Sequence, residues 1–289
     1  MATTRIYRKY VLLGLISLVT AALLIMSITP QNPLDGCYHV YLDVGSNIGV
    51  QIRKLFEPEK YPNATVLQIF NENFGSINER RQEYSDNGDI VCAVGFEPNP
   101  RHTKYLKQIE SSYNQCGWRV LFLTESAVSD HNGIGKFYSF RALTGIGRGG
   151  GILPPKPIKT QSHMKVDLIR LYDFLKNVVN TRKLSIHPAV SSPPRIVMKL
   201  DIEGSEVDVI SDLLFNGGFQ YINSIMVEWH KWKQNFPERK QANDLLKDVV
   251  NSLSEYSSTI NHLYKTYDFN VINMDDESYD KAKFDLPKC

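Results

Sequence analysis

The chain has 289 residues, of which 42% are hydrophobic, and its formal net charge is +2 at pH 7. This length allows one catalytic domain with a small additional segment, and the hydrophobic fraction suffices for a large core. The nearly balanced charge, without a basic stripe, argues against a nucleic-acid-binding surface.

An uncharged apolar stretch lies near the N-terminus, at residues 11–28, directly after a basic segment. Its length is near the minimum that spans a bilayer, and a basic flank stays on the cytoplasmic side. We therefore predict a single-pass type II membrane protein whose catalytic domain faces the lumen of the endoplasmic reticulum or Golgi. A cleaved signal peptide, which gives a secreted protein, and a buried helix are the alternatives. The predicted parts are a cytoplasmic tail at 1–10, the anchor at 11–28, a short luminal stem at 29–38 and the catalytic domain at 39–289.

Two further features agree with a luminal location. The tripeptide Asn63-Ala64-Thr65 is an N-glycosylation sequon. The even number of cysteines is typical of a disulfide-bonded domain, although their pairing stays open and their spacing fits no zinc site. Cys92 falls in an apolar run, where a buried free thiol is the simplest interpretation. The four cysteines are Cys37, Cys92, Cys116 and Cys289.

The first motif, Asp43-x-Gly45-x-Asn47-x-Gly49, follows a short predicted strand at residues 40–42 and precedes a predicted helix. Its glycines let the backbone approach a nucleotide closely. Asn47 stands where the dinucleotide fingerprint needs glycine, and the absence of Gly-Lys-Ser/Thr excludes a phosphate-binding P-loop. Asp43 instead predicts a cationic or amine-bearing ligand, such as S-adenosylmethionine, which carries an ammonium and a sulfonium.

The second motif, Glu97-Pro98-Asn99-Pro100, ends an apolar run at 90–96 that we interpret as the second strand. An acidic residue at this point can accept hydrogen bonds from both ribose hydroxyls of a nucleotide. The prolines restrict the backbone and stop the strand. Residues 57–88 separate the two motifs and are predicted to be an insertion.

Alternating strands and helices are predicted beyond the second motif. We predict a helix at 103–112, strands at 118–123 and 136–140, a glycine- and proline-rich loop at 141–165, a helix at 166–180 and another loop at 185–195. An amphipathic helix at 241–254 and a final hairpin of two strands, from 267–274 and the last twelve residues, complete the series.

The third motif, Lys199-x-Asp201-x-Glu203-Gly204-x-Glu206, follows the apolar strand at 196–198. Open α/β sheets bind ligands at the carboxyl ends of their strands, so these carboxylates are site candidates. The alternative is an acidic helix start. A strand at 222–228 ends at the same edge, where His230 could accept a proton from a hydroxyl or be an ordinary surface histidine.

The three motifs together, between residues 41 and 228, resemble the FkbM family of methyltransferases. The segment 166–171 also resembles the family's stretch ahead of the last motif. A narrower resemblance, to the animal methyltransferase-like 24 group, is carried by the predicted anchor and by residues 71–75. The resemblance implies an α/β, Rossmann-like class I fold with a mostly parallel seven-stranded sheet and helices on both faces. It implies S-adenosylmethionine as the cofactor and a hydroxyl, a glycan hydroxyl among the candidates, as the methyl acceptor.

The resemblance also implies roles for individual residues. Asp201 and Glu203 orient the acceptor or receive its proton, with His230 as the third candidate base. No metal is predicted, because the helix start and Lys199 account for two of the acids, although such carboxylates could bind a divalent cation. A non-catalytic luminal binding module is the alternative function, and the oligomeric state stays open. The residues expected to bind the cofactor are Asp43, Gly45, Asn47, Gly49, Glu97, Asn99, Ser126 and Ala127.

Overall fold

The computed structural model describes residues 32–81, 90–139, 150–153, 163–184, 192–230, 237–264, 269–274 and 285–288. The chain divides into two units, Met1–Pro33 and Leu34–Cys289, and almost all of the described residues belong to the second. The predicted anchor at 11–28 lies outside the described residues. Within the described residues, no helix combines the length and the apolar character needed to cross a membrane.

A six-stranded sheet forms the centre of the second unit. Its strands are β1 (His39–Val44), β2 (Val91–Glu97), β3 (Val120–Thr124), β8 (Ile196–Leu200), β9 (Ser224–Val227) and β10 (Asn270–Asn273). The order is β10-β9-β8-β1-β2-β3, and every neighbouring pair is parallel. The chain runs outward from β1 in one direction and from β8 in the other. The boundary between β1 and β8 is therefore the switch point where open α/β sheets bind ligands.

Four further strands form a separate sheet in the order β4-β7-β5-β6. These strands are β4 (Ser126–Ser129), β5 (Gly133–Ser139), β6 (Gly150–Gly151) and β7 (His163–Arg170). The α/β fold with a mostly parallel sheet is thus confirmed, but the single seven-stranded sheet is not what the described residues form. The first strand of the predicted final hairpin is present as β10, which pairs in parallel with β9, whereas most of the last twelve residues lie outside the described residues.

The predicted helix at 166–180 is wrong in its first part, because residues 166–170 belong to β7. Val166 and Leu168 point to one face of that strand and pack with Phe137 and Ala127 in a small core of their own. Such alternation is the period of a strand with one buried face. The helix begins only at Leu171.

Helices cover both faces of the central sheet. They are α1 (Val50–Phe56), α2 (Val66–Phe74), α3 (Ile77–Arg80), α4 (Pro100–Gln115), α5 (Leu171–Phe174), α6 (Glu206–Asn216) and α7 (Pro237–Tyr264). A π-helical turn at Leu175–Val179 continues α5, and short 3-10 helices lie at Pro58–Lys60 and Gly218–Tyr221. The predicted insertion therefore contains α2 and α3, and Phe70 and Phe74 of α2 are buried in the core.

Alternate residues of each central strand enter two different cores. Val40, Leu42 and Val44 of β1 lie in one core, whereas Tyr41 lies in the other. Strands buried on both faces are expected to be continuous apolar runs, as these are. Asp43 shares the face of Tyr41, so a carboxylate stands at the end of an otherwise apolar row.

A disulfide joins Cys37 to Cys92 of β2, with 5.7 Å between the Cα atoms. Both cysteines are buried. Because Cys92 is bonded to Cys37, it is not the free thiol that the apolar run suggested. Cys116 is disulfide-bonded as well. Leu34 and Cys37, which the sequence prediction places in the stem, are part of the main core.

Candidate active site

A cavity opens at the carboxyl ends of β1, β2 and β8, next to the switch point of the sheet. About 600 Å³ of space, part of it open to solvent, lies between its lining residues. Seven of the eleven predicted site residues line it, namely Gly45, Asn47, Glu97, Asn99, Ala127, Asp201 and Glu203. The other four, Asp43, Gly49, Ser126 and His230, lie beside or beneath it.

The first motif forms a tight turn against the third. Gly45 has a φ of +91°, and a Cβ there would lie 1.8 Å from the carbonyl oxygen of Asp201. Only glycine lets the two loops approach this closely. Asn47 has a φ of +52°, which is uncommon for a residue with a side chain. Gly49 packs near Leu106 and Phe122, so it shapes the turn without lining the cavity.

Backbone groups hold the Glu97 carboxylate in place. The N–H of Asn47 donates to Oε2 at 2.7 Å, and the N–H of Asn99 donates to Oε1 at 2.9 Å. The Asn99 side chain accepts from the Arg101 N–H and caps α4. These hydrogen bonds hold the Glu97 carboxylate in one orientation toward the cavity. Its oxygens keep further acceptor sites, which the predicted hydrogen bonds from ribose hydroxyls require.

His102 is a cavity residue that the sequence prediction missed. It lies in the first turn of α4, is 6% exposed, and places Nδ1 3.3 Å from Glu97 Oε1. Its Nε2 lies 3.5 Å from the side-chain nitrogen of Asn99. The only signal in the sequence was its position two residues after the proline-rich turn.

Asn47 Oδ1 and Ser205 Oγ, both in the cavity lining, are buried and have no hydrogen-bond partner among the described residues. Each such group costs about 1–3 kcal/mol when it is left unsatisfied. A polar ligand in the cavity would remove that cost, whereas Phe96, Val128 and Phe137 supply an apolar wall.

The two residues of β4 that are expected to bind the cofactor have different positions relative to the cavity. Ala127 of β4 faces the cavity. Ser126 is buried, and its hydroxyl donates to the Thr124 carbonyl at 3.1 Å, so this side chain holds the end of β3. Glu125, between Thr124 and Ser126, has a φ of +58° and is exposed.

The third motif folds into a turn that Glu206 holds from inside. Glu206 is fully buried, and its Oε1 accepts from the N–H groups of Ile202 and Gly204. Lys199 donates to Asp201 Oδ2 at 2.6 Å. Glu203 has a φ of +59° at the tip of the turn. Glu206 and Lys199 thus position the turn, and Asp201 and Glu203 line the cavity.

His230 lies at the centre of these carboxylates. Its Nδ1 is 2.8 Å from Glu206 Oε1, and its Nε2 is 3.2 Å from Glu228 Oε1. Burial lowers the pKa of His230, but the carboxylates of Glu206 and Glu228 outweigh burial and raise the pKa to about 10. In the absence of a bound cation, the neighbouring carboxylates therefore favour the protonated form of His230. This favours Asp201 or Glu203 as the base, and His230 as the base stays a prediction.

Asp43 lies beneath the cavity and does not line it. Its carboxylate is fully buried, and its Cα pairs in register with that of Lys199 on β8. Burial raises the pKa of Asp43 to about 6, against the opposing effect of Lys199. Contact with the amino-acid end of a cofactor stays a prediction for this residue.

Residues 43–258 of the chain match the family model described as the methyltransferase FkbM domain. No curated protein and no solved structure matches the chain at a significant level. The matched region includes all three motifs and every residue assigned to the cavity.

Proposed function

The chain belongs to the methyltransferase FkbM domain family, and from that premise we propose that it is an S-adenosylmethionine-dependent methyltransferase that methylates a hydroxyl. The observation that supports this most directly is the Glu97 carboxylate in the cavity lining, which two backbone N–H groups hold in place beside the unpartnered Asn47 Oδ1. A ligand with a diol and a flat apolar ring would satisfy both parts of the cavity.

Glu97 is the expected anchor for the cofactor. Its two oxygens already accept one backbone N–H each, and a carboxylate has about four acceptor sites, so both ribose hydroxyls can still donate to it. Asn47 and His102 lie beside it, and the apolar wall formed by Phe96, Val128 and Phe137 suits an adenine ring. When bound, S-adenosylmethionine supplies an electrophilic methyl group on a sulfonium.

Asp201 and Glu203 are the residues expected to bind the hydroxyl that accepts the methyl group. Both line the cavity, and the Lys199 contact keeps Asp201 in one position. Since the methyl group needs little activation, most of the rate must come from alignment of the acceptor oxygen. Asp201 or Glu203 would accept the proton that the hydroxyl loses when S-adenosylmethionine donates its methyl group to the oxygen and leaves as S-adenosylhomocysteine. A carboxylate that also hydrogen-bonds the hydroxyl supplies both alignment and proton acceptance.

Calorimetric titration with S-adenosylhomocysteine, the expected product, tests the cofactor. We expect the full-length chain in detergent to bind one equivalent, and Glu97→Gln to weaken binding at least tenfold because it loses a charged acceptor. Glu238→Gln, at an exposed glutamate in the first turn of α7, is the matched control and should bind like the unmodified chain. Failure of a folded, unmodified chain to bind would favour the non-catalytic binding module.

A luminal, membrane-anchored location is part of the same proposal, as is the narrower similarity to the methyltransferase-like 24 group. The buried Cys37–Cys92 disulfide suits an oxidising compartment. Asn63 of the single sequon is exposed, so a glycan could be attached without unfolding. Secretory glycans are then the hydroxyl acceptors that the enzyme would meet.

The sequon gives a direct test of the location. In secretory cells we expect the chain to carry one N-glycan, seen as a gel shift that an endoglycosidase removes. Thr65→Ala should abolish the shift, whereas Thr65→Ser, which keeps the sequon, should retain it. A chain that shows no shift when unmodified, while it remains soluble in the cytosol, would contradict the luminal proposal.

A further inference from the structure

The carboxylate cluster around His230 has the composition of a metal site. Asp201, Glu203 and His230 each present one ligand atom, and these atoms lie within 4.8 Å of one another. We propose that these three side chains bind one divalent transition-metal ion at the edge of the cavity formed by Asp201 and Glu203. Binding of the ion is independent of the proposed function, but its use in methyl transfer rests on that function.

The distances fit ligands of a common ion better than direct hydrogen bonds. His230 Nε2 lies 3.5 Å from Glu203 Oε2 and 3.7 Å from Asp201 Oδ1. Hydrogen bonds between nitrogen and oxygen are shorter. Two ligands bonded to one tetrahedral zinc ion are about 3.3–3.6 Å apart. The Asp201 and Glu203 side chains are 13% and 21% exposed, so both have room for a small adjustment.

Buried partners orient the ligands from behind. Glu206 Oε1 accepts from His230 Nδ1 at 2.8 Å, which leaves Nε2 as the ligand atom. Glu206 is itself held by two backbone N–H groups. Lys199 occupies Asp201 Oδ2 at 2.6 Å, which leaves Oδ1 to face the cluster. A carboxylate behind a histidine ligand is the outer arrangement that metal sites commonly use.

The charge of the cluster also favours a cation. Among the described residues, four carboxylates (Asp201, Glu203, Glu206 and Glu228) surround two basic side chains, Lys199 and His230. Buried charges are stable only when they are paired or bound to a metal. An additional cation at this position would offset the excess negative charge.

The donor set narrows the choice of ion. Imidazole nitrogen suits zinc, and carboxylate oxygen suits manganese and magnesium, so one nitrogen with two oxygens points to Mn²⁺ or Zn²⁺. Glu228 Oε1, 3.2 Å from Nε2, is close enough to become a further ligand. Since Asp201 and Glu203 line the cavity, an open coordination position would face the acceptor hydroxyl and ease loss of its proton.

Direct metal titration tests the proposal without any acceptor. The full-length chain in detergent is treated with a chelator, dialysed, and titrated with MnCl₂ by electron paramagnetic resonance and with ZnCl₂ by calorimetry. We expect one ion per chain, at least 100-fold weaker binding in His230→Ala, and about 10- to 100-fold weaker binding in Glu203→Gln and Glu206→Gln.

His131→Ala provides the matched control, because His131 is exposed, lies next to Asp130 and is absent from the cavity lining. Its ion binding should equal that of the unmodified chain. Retained binding of S-adenosylhomocysteine by each variant shows that the variant is folded. No ion bound at millimolar concentration, or equal binding by His230→Ala, would overturn the proposal. If the unmodified chain binds the ion but does not bind S-adenosylhomocysteine, the proposed function alone is overturned.

Discussion

Gly45→Ala is expected to destabilise the domain by about 3–5 kcal/mol, combining backbone strain with overpacking. The φ of +91° at Gly45 disfavours any side chain, and the new Cβ would lie 1.8 Å from the Asp201 carbonyl oxygen. Because that atom is backbone, the contact is relieved only if the first and third motifs separate. The separation would also displace Asn47 and Asp201, so binding of S-adenosylhomocysteine should be lost. Urea unfolding and calorimetry measure the two effects.

Gly217→Ala is the matched control for this prediction. Gly217 has a φ of +72° at the end of α6, but a Cβ there would meet only Gln220 Nε2, at 3.4 Å. The strain in φ is therefore similar and the backbone clash is absent, so the cost should stay at about 1–2 kcal/mol. Equal costs for the two variants would show that the loops at Gly45 can move apart freely.

Asp43→Asn is expected to change how stability depends on pH. Burial raises the pKa of Asp43 to about 6 in the folded chain, against its ordinary value of 3.8. Between these values the folded state binds more protons than the unfolded state, so stability falls as pH rises. The shift corresponds to about 3 kcal/mol, fully lost above the folded pKa. Asparagine does not ionise and avoids this loss.

The difference in unfolding free energy, Asp43→Asn minus the unmodified chain, should therefore increase by about 2 kcal/mol between pH 4.5 and pH 7.5. Denaturant unfolding at the two pH values measures it. Asp248→Asn, at an exposed position on α7, should show no such change. If the difference in unfolding free energy between Asp43→Asn and the unmodified chain does not change with pH, or decreases toward pH 7.5, ionisation of Asp43 does not cause the loss of stability.

Several parts of the site could be predicted from local sequence. An apolar run that ends in glycine or proline marks both a strand and the point where it stops, and these signals are contained within a few residues. They predicted β1, β2 and β8 and placed Glu97, Asp201 and Glu203 at one edge of the sheet. The parallel order that brings these edges together is implied by alternating strands and helices.

Other features depended on contacts between distant segments. The sequence around Val166 and Leu168 is compatible with a helix or a strand. Their packing against Phe137 and Ala127 stabilises the strand conformation. The Cys37–Cys92 pairing needs the approach of residues 55 positions apart, which no spacing rule predicts. His102 became a cavity residue only because α4 begins beside Glu97.

The sequence by itself determined which residues end the central strands, because hydrophobic runs, glycines and prolines act over a few residues. It thereby determined the ligand types available at the sheet edge. Only the tertiary structure decided how those residues are used. In the folded chain, Asp43 is buried beneath the cavity and Glu206 holds the third motif through hydrogen bonds. His230 lies among four carboxylates. These outcomes depend on desolvation and on long-range packing, which local sequence does not specify.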